Sequence, residues 1–495
     1  MSSAPTPTSA VSVPTDASSP KHHLITHIPE GDRIPTFQKI MFSTGTNTEY
    51  AATGLMTSVL WMPYFNIGMG MKPVLLGMVL MILRAWEAFA DPFIGNISDN
   101  ARTRWGRRRP FIAVGAVLAG CMFPLFWNMP AGLGDYGKSA YLIIVGMMFF
   151  TAFATWAMPY YGLQLELTPN YDERTRLSSY MALFSKLSSL AGGWVLAFVT
   201  GRWFINAATG KGDILVGMKT GCWFISGAII LFGLCPALFV KERYYDAEAK
   251  KQKPERFWKS IKESAQCKPL WALIGISFFL LLGAMSVGTL AQYLSIYLVF
   301  GGDLHAASVV GGWKNTVLVI TGIVSIPLWT WLGERFDKKI MVISMLVMST
   351  FGVLLNYFCL RPDMPYLQII SGVFEVGAYG ALWLFLPSMK ADTADWDELN
   401  TTRRREGSIN AFYSWFIKVS LTCAVGVGGV VLEFSGFNAK LPVQPPEVLK
   451  RMMTIYLVLP TIIFGCAILI ACFYPLNRAR MAEIRAQLEA RRGKI

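Results

Sequence analysis

The feature that most constrains this chain is a long apolar segment that recurs, with variations, from about residue 44 to about residue 474. Each such segment holds roughly 20 residues or more, which is the length that a helix needs to cross the hydrocarbon core of a bilayer. Because the bilayer offers no partner for backbone N–H and C=O groups, a segment of this kind folds as a helix. The sequence therefore predicts an all-α membrane protein.

Apolar runs and the polar breaks between them predict about twelve transmembrane helices. The predicted spans cover 44–68, 74–97, 111–130, 139–167, 178–201, 218–240, 269–299, 307–333, 339–359, 365–395, 407–435 and 452–474. The longest polar loop follows the sixth span, so two six-helix bundles are predicted. The predicted division is a disordered cytoplasmic tail over 1–35, an N-terminal bundle over 36–240, a cytoplasmic central loop over 241–268, a C-terminal bundle over 269–475 and a basic cytoplasmic tail over 476–495.

The composition agrees with a membrane protein. With 53% hydrophobic and 15% charged residues, the chain is too apolar for a soluble protein of 495 residues. A net charge of +14 would suit a nucleic-acid partner, but Lys and Arg are concentrated in the loops on one predicted side of the membrane. This positive-inside pattern places both termini in the cytoplasm. We therefore predict a multi-pass protein of the cell inner (plasma) membrane, surrounded by lipid and without a nucleic-acid partner.

Neither a catalytic site nor a metal site is predicted. Of the 4 histidines, three lie in the N-terminal tail, and no CxxC pair occurs. No spacing of a nucleophile and a base appears, so the chain is predicted not to be an enzyme and to carry no cofactor. The tail is rich in Ser, Thr, Pro and Ala and lacks the features of a signal peptide.

One predicted helix carries charge within its apolar run. Arg84, Glu87 and Asp91 are spaced i, i+3, i+7, which places them on one face. An ionisable group within the membrane costs on the order of 2.5–3.5 kcal/mol on insertion scales and is a candidate functional group by default. This face is therefore predicted to look towards other helices or water, not towards lipid.

Three separated motifs resemble the signature of the glycoside–pentoside–hexuronide:cation symporters, the melibiose-permease-like branch of the major facilitator superfamily. They lie at 84–110, 159–177 and 391–418. The loop at 107–112 also resembles that of the more distantly related sucrose transporters. The resemblance implies the major facilitator fold and symport of a glycoside, disaccharide or oligosaccharide with a cation by alternating access. The substrate site of such a fold lies between the two bundles.

The resemblance implies a cation site formed by the acids Glu87 and Asp91. Lys418, in the eleventh span, matches a family lysine that approaches this site, and as a charge in a long apolar run it needs a carboxylate such as Asp91 or Glu87. Arg84 is a candidate counter-charge on the same face. The alternative is that these charges form only a structural ion cluster.

The resemblance also implies residues that bind sugar. Tyr161 takes the place of a sugar-stacking aromatic residue, Lys186 that of a sugar-binding arginine, and Trp383 that of a family aromatic residue. On the first helix either Asn47 or Glu49 matches a sugar-binding acid, and the spacing does not choose between them. Ala157 stands where a family member has an acid, which favours H⁺ over Na⁺ as the coupling cation.

Charges in the second half offer further candidates. Glu375 is predicted either to pair with Lys314 or to replace the missing acid in sugar binding. Near the cytoplasmic surface, salt bridges are predicted to gate the transporter or to hold its helices together. The candidates are Asp392, Asp395 and Arg404, with Asp99 and Arg104 as their counterparts.

Two other functions fit the same scaffold. One is a sugar-sensing receptor that binds without transport, and the other is a lipid or lysolipid carrier. The intact set of Glu87, Asp91 and Lys418 speaks against a sensor, because a sensor needs no coupling ion.

Overall fold

The computed structural model describes residues 33–492 except 169–170, 208–209, 211, 243–264, 287, 402–405, 440 and 442. Nearly all of the predicted disordered tail and most of the central loop lie outside the described residues. Within the described part, eleven helices are long and apolar enough to cross a membrane. The predicted all-α class is confirmed.

Twelve membrane-length elements follow the predicted spans in order, and the first of them is a succession of α- and π-helical segments. They are α1 (36–68), α2 (Pro73–Asn100), α3 (Arg109–Trp127), α4 (Asp135–Glu166), α5 (Tyr171–Val199), α6 (Ile214–Phe239), α7 (Lys268–Val299), α8 (Leu304–Arg335), α9 (Lys338–Cys359), α10 (Pro365–Thr401), α11 (Glu406–Phe434) and α12 (Pro446–Cys472).

The two halves pack in the same way. In the N-terminal half α4 packs against α2 and α3, and α3 packs against α6. In the C-terminal half α10 packs against α8 and α9, and α9 packs against α12. The halves meet where α2 contacts α11 and where α5 contacts α8. These two seams are equivalent under exchange of the halves, as expected for two related bundles.

Among the described residues, three elements contain π-helical turns. In α1 they cover Tyr50–Leu60 and Pro63–Gly68, in α7 Ser295–Val299, and in α10 Ala381–Phe385. A π-turn holds one more residue than an α-turn and is often found at functional sites. Two of these segments adjoin candidate residues, because the first begins directly after Glu49 and the last contains Trp383.

The halves are closely packed at one end, which we call the distal end because the N-terminal segment and the C-terminal helix lie at the other, terminal end. A Cβ atom added to Gly429 would lie 2.7 Å from the carbonyl oxygen of Pro73 and 3.1 Å from Cα of Gly77. The Tyr293 hydroxyl donates to Oδ1 of Asn66 at 2.6 Å. The buried core of the N-terminal half continues here into α7, α11 and α12.

At the terminal end, Glu242 follows α6 and caps the start of α3. Its carboxylate accepts from the backbone N–H groups of Arg107, Arg108 and Arg109 at 2.8, 2.7 and 3.0 Å. The helix dipole favours an acid at this position. The guanidinium groups of Arg107 and Arg108 also reach Glu166 at the end of α4. The basic loop therefore fastens α3, α4 and α6 together.

The predicted basic tail contains a further helix, α13 (Arg478–Arg492). Met481, Ile484 and Leu488 form its apolar stripe and are buried in the core of the C-terminal half. Arg478 donates its backbone N–H to Asp337 at 3.0 Å. This part of the tail is packed against the C-terminal half.

Candidate functional site

An ion pair joins the halves within the membrane. The ammonium group of Lys418 on α11 donates to Oδ2 of Asp91 on α2. Asp91 is buried. Either charge alone at this depth would be costly, so each stabilises the other. The predicted partner of Lys418 is therefore an acid of α2, and the structure assigns Asp91 to it.

The other two charges on this face of α2 pair with each other. Nη1 of Arg84 lies 2.7 Å from Oε2 of Glu87. Nη2 of Arg84 also donates to the Thr57 hydroxyl on α1 at 3.4 Å. Because the guanidinium group of Arg84 pairs with Glu87, Asp91 remains to pair with Lys418. The predicted i, i+3, i+7 face thus divides into one pair within α2 and one pair between the halves.

Glu49 extends these charges to α1. Its carboxylate accepts a hydrogen bond of 2.6 Å from the hydroxyl of Tyr161 on α4. Glu87 is close enough to interact electrostatically with both Glu49 and Asp91. We call these three carboxylates the acid cluster. It combines residues of α1 and α2 and is bounded by Arg84, Lys418 and Tyr161.

Asn47 has different surroundings. Its Oδ1 accepts from the hydroxyl of Ser188 on α5. At the next residue of α5, the backbone carbonyl of Ser189 accepts from Nδ2 of Asn315 on α8 at 2.8 Å. The two alternatives on α1 therefore have separate roles in packing, with Glu49 in the acid cluster and Asn47 on the side of α5.

Lys186 lies on α5 between these groups and the second half. Its side chain is exposed, and its Nζ lies 4.0 Å from where a Cβ atom on Gly322 of α8 would be. Lys186 forms no ion pair with any residue in the part of the chain that the structure describes. The ammonium group of Lys186 therefore lies at the boundary between the halves.

A second polar network lies inside the C-terminal half. Lys314 pairs with Glu375 at 3.3 Å, as one of the two sequence alternatives predicts. Asn356 donates to Glu375 at 2.8 Å and to the Tyr456 hydroxyl at 2.9 Å, and the Ser371 hydroxyl donates to Asn356 at 2.7 Å. Sequence reasoning missed Asn356 and Tyr456, because uncharged polar residues are common in membrane helices.

The remaining sugar-site candidates differ in exposure. Trp383 is 75% exposed, so it is not used for packing in the core. Ala157, where the family pattern has an acid, is 2% exposed and packs in the core of the N-terminal half. An acid at that position would be buried beside Trp156 and Tyr160.

The predicted gating residues are only partly described. Asp392 is paired with Lys338 of its own half at 2.5 Å. Arg104 is exposed and forms no ion pair with a described residue, and Asp395 is half-buried. The side chain of Asp99 and all of Arg404 lie outside the described residues. Gating by these residues stays a prediction, and the described partner of Asp392 lies within the same half.

Known proteins resemble this chain over most of its length. A family model described as "MFS/sugar transport protein" matches residues 42–478. An uncharacterized symporter of Synechocystis sp. is 27% identical, over 85% of this chain and 91% of its own. The "Glucuronide carrier protein homolog" of Escherichia coli is 24% identical, over 88% and 92%. The "Sodium-dependent lysophosphatidylcholine symporter 1-A" of Danio rerio is 24% identical, over 92% and 88%.

The fold also matches solved transporters. A bacterial homolog of the human lysosomal transporter Spinster, in an inward-facing and unoccupied conformation, superimposes with a TM-score of 0.64 at 13% identity, covering 92% of this chain and 98% of that one. At this identity the likeness shows the fold alone. The relatives are symporters and not enzymes. The chain therefore belongs to the MFS/sugar transport protein family, as a secondary transporter of the major facilitator superfamily that carries out cation symport.

Proposed function

We propose that this transporter couples the uptake of a glycoside to a cation by alternating access. The observation that carries the proposal is the pairing of Asp91 with Lys418 beside the acids Glu87 and Glu49. A cation that binds the acid cluster competes with Lys418 for Asp91. Its binding would therefore change an interaction that links the two halves.

The groups around the acid cluster are suited to a sugar. Tyr161 offers an aromatic face for the apolar side of a pyranose ring, and Lys186 and Asn47 offer hydrogen bonds to hydroxyl groups. Trp383 on the opposite half is exposed and available for a second stacking contact. The relatives named as glucuronide and glycoside carriers support a sugar substrate.

The first prediction concerns Asp91. Asp91→Asn should abolish cation-driven accumulation of sugar in proteoliposomes, because the amide can neither take up a proton nor hold a cation by charge. Exchange of internal for external sugar should persist, since exchange needs no net cation movement. Asp135→Asn, at the distal start of α4, is the matched control. Accumulation by Asp91→Asn at the wild-type level would contradict the role proposed for Asp91.

The second prediction concerns the cation, which we propose to be H⁺. The support is Ala157, where the family acid that would help to complete a Na⁺ shell is absent, together with carboxylates that accept a proton. Adding sugar to vesicles should therefore make the outside medium alkaline, and sodium at constant pH should not stimulate uptake. Stimulation by sodium without alkalinisation would reverse the assignment.

We also propose that the transporter resides in the plasma membrane with both termini in the cytoplasm. The concentration of Lys and Arg at the terminal end supports this orientation. A reporter domain that is active only in the cytoplasm should be active when it is fused to residue 495. A reporter domain that is active only outside the cytoplasm should be inactive at the same position.

A second candidate is a lysophospholipid carrier, which the relatives named as lysophosphatidylcholine symporters favour. Uptake of a labelled lysophospholipid, with no uptake from a panel of glycosides, would support this candidate over a sugar carrier.

A further inference from the structure

We infer that the transported molecule carries an anionic group and that Lys186 is its counter-charge. This inference rests on the proposed function and specifies the substrate class of the same site.

The membrane-embedded bases differ in their partners. Arg84, Lys314 and Lys418 each pair with a carboxylate. Lys390 donates to Oδ1 of Asn410 at 2.5 Å and lies over the Tyr413 ring at 5.2 Å. Among the described residues, Lys186 has neither an ion pair nor a hydrogen bond of its side chain. It is the unsatisfied charge of this set.

Lys186 lies too far from both ends of α5 for its side chain to reach the membrane surface. It is near the middle of α5, about 20 Å along the helix from either end at 1.5 Å per residue. A lysine near a helix end extends its side chain to the interface, but a side chain of this length cannot span that distance. Its ammonium instead points at Gly322 of the opposite half. A charge at this depth needs a partner, and a bound substrate can supply it.

The local charges favour an anion in the presence of the coupling cation. The three carboxylates of the acid cluster have two basic neighbours, Arg84 and Lys418, and Lys186 is a third base at the membrane-embedded boundary between the halves. One monovalent cation bound at the acid cluster leaves a single positive charge in excess. A substrate with one negative group restores neutrality, and Lys186 is the base that is free to contact it.

The ammonium group of lysine is a compact point charge that can bind either a carboxylate or a phosphate. An acidic sugar would present a carboxylate, and a lysophospholipid would present a phosphate. Both offer the same interaction to Lys186, so the two sources must be separated by experiment.

The test compares matched charged and neutral ligands in binding to the purified full-length transporter. Nitrophenyl β-glucuronide is paired with nitrophenyl β-glucoside, and lysophosphatidic acid with a monoacylglycerol of the same acyl chain. Each is measured with the wild type, Lys186→Gln, Lys186→Arg and, as a membrane-embedded control, Lys390→Gln.

In one of the pairs, the charged member should bind roughly tenfold to a hundredfold more tightly than the neutral member. That pair identifies the source of the anion. Lys186→Gln should remove most of the difference, because it weakens binding of the charged member far more than binding of the neutral member, whereas Lys186→Arg and Lys390→Gln should retain it.

Equal affinities within both pairs, or an equal loss for both members in Lys186→Gln, would overturn the inference. Cation-driven accumulation of the neutral glucoside together with equal affinities would overturn only the inference and leave the proposed function standing. Preferential binding of the glucuronide without cation-driven accumulation would instead contradict the proposed function.

Discussion

Tyr161 joins the two parts of the proposed site, because its hydroxyl binds Glu49 while its ring is offered to the substrate. Tyr161→Phe keeps the ring and removes the hydrogen bond. We expect sugar affinity to fall by roughly tenfold to a hundredfold, because a buried carboxylate loses its donor at a cost of about 1–3 kcal/mol. Tyr141→Phe, whose hydroxyl donates to the backbone of Leu125 near the distal end of α4, is the control. Binding titrations with both variants check the prediction. Unchanged affinity in Tyr161→Phe would show that the hydrogen bond to Glu49 does not contribute to sugar binding.

Charged residues of the site were predictable one by one, because a charge in an apolar span demands a partner. That requirement led from the sequence to Asp91 or Glu87 as the partner of Lys418, and to Lys314 as one of two alternatives for Glu375. It could not choose between Asn47 and Glu49. Counting back from Gly68 assumes regular α-helical turns, but the π-turns over Tyr50–Leu60 and Pro63–Gly68 change the number of residues per turn.

At the scale of elements, the seam between α2 and α11 depends on glycine. Gly429→Ala would place a methyl group 2.7 Å from the backbone oxygen of Pro73, and Gly77→Ala would place one 3.3 Å from Cα of Gly429. The first distance forces backbone to move, whereas the second requires a shift of a few tenths of an ångström. We therefore expect Gly429→Ala to hinder closure of the distal end and to slow transport strongly, and Gly77→Ala to slow it less.

The measurement is the rate of sugar exchange, together with the labelling of cysteines introduced at the distal end. Gly465→Ala in α12, where a methyl group meets open space, is the control. Distal cysteines should become more accessible in Gly429→Ala. The idea fails if that variant exchanges sugar as fast as Gly465→Ala.

The predicted spans lie within a few residues of most helices. The prediction differs from the structure at the first helix and in the C-terminal tail. Helix α1 begins at Thr36, well before the predicted residue 44, because Lys39 forms a buried pair with Glu173 at 2.6 Å. A charge that looks like a boundary is thus part of the helix. Sequence analysis missed α13 because this segment carries many charges, although its apolar residues follow the i, i+3, i+7 spacing of a helix face.

For the whole molecule, the pair of Asp91 and Lys418 links the stability of one half to the other. Lys418→Met leaves a buried carboxylate without its base, and such losses typically cost about 3–5 kcal/mol. The midpoint of thermal unfolding should therefore fall. Asp91→Asn together with Lys418→Met should recover most of that stability and remain uncoupled. A double variant that is as unstable as Lys418→Met would show that the loss does not come from the unpaired acid.

The hydrogen bonds between Glu242 and the backbone at the start of α3 have a consequence for how the protein can be assembled. They fix Glu242, which follows α6, to the start of α3, so α3 and α6 are joined by contacts within the N-terminal half. The C-terminal half likewise has its own core, and the halves meet through helix faces. The covalent link is then dispensable for recognition between them, and a gene cut between codons 242 and 265 should yield two polypeptides that find each other in the membrane.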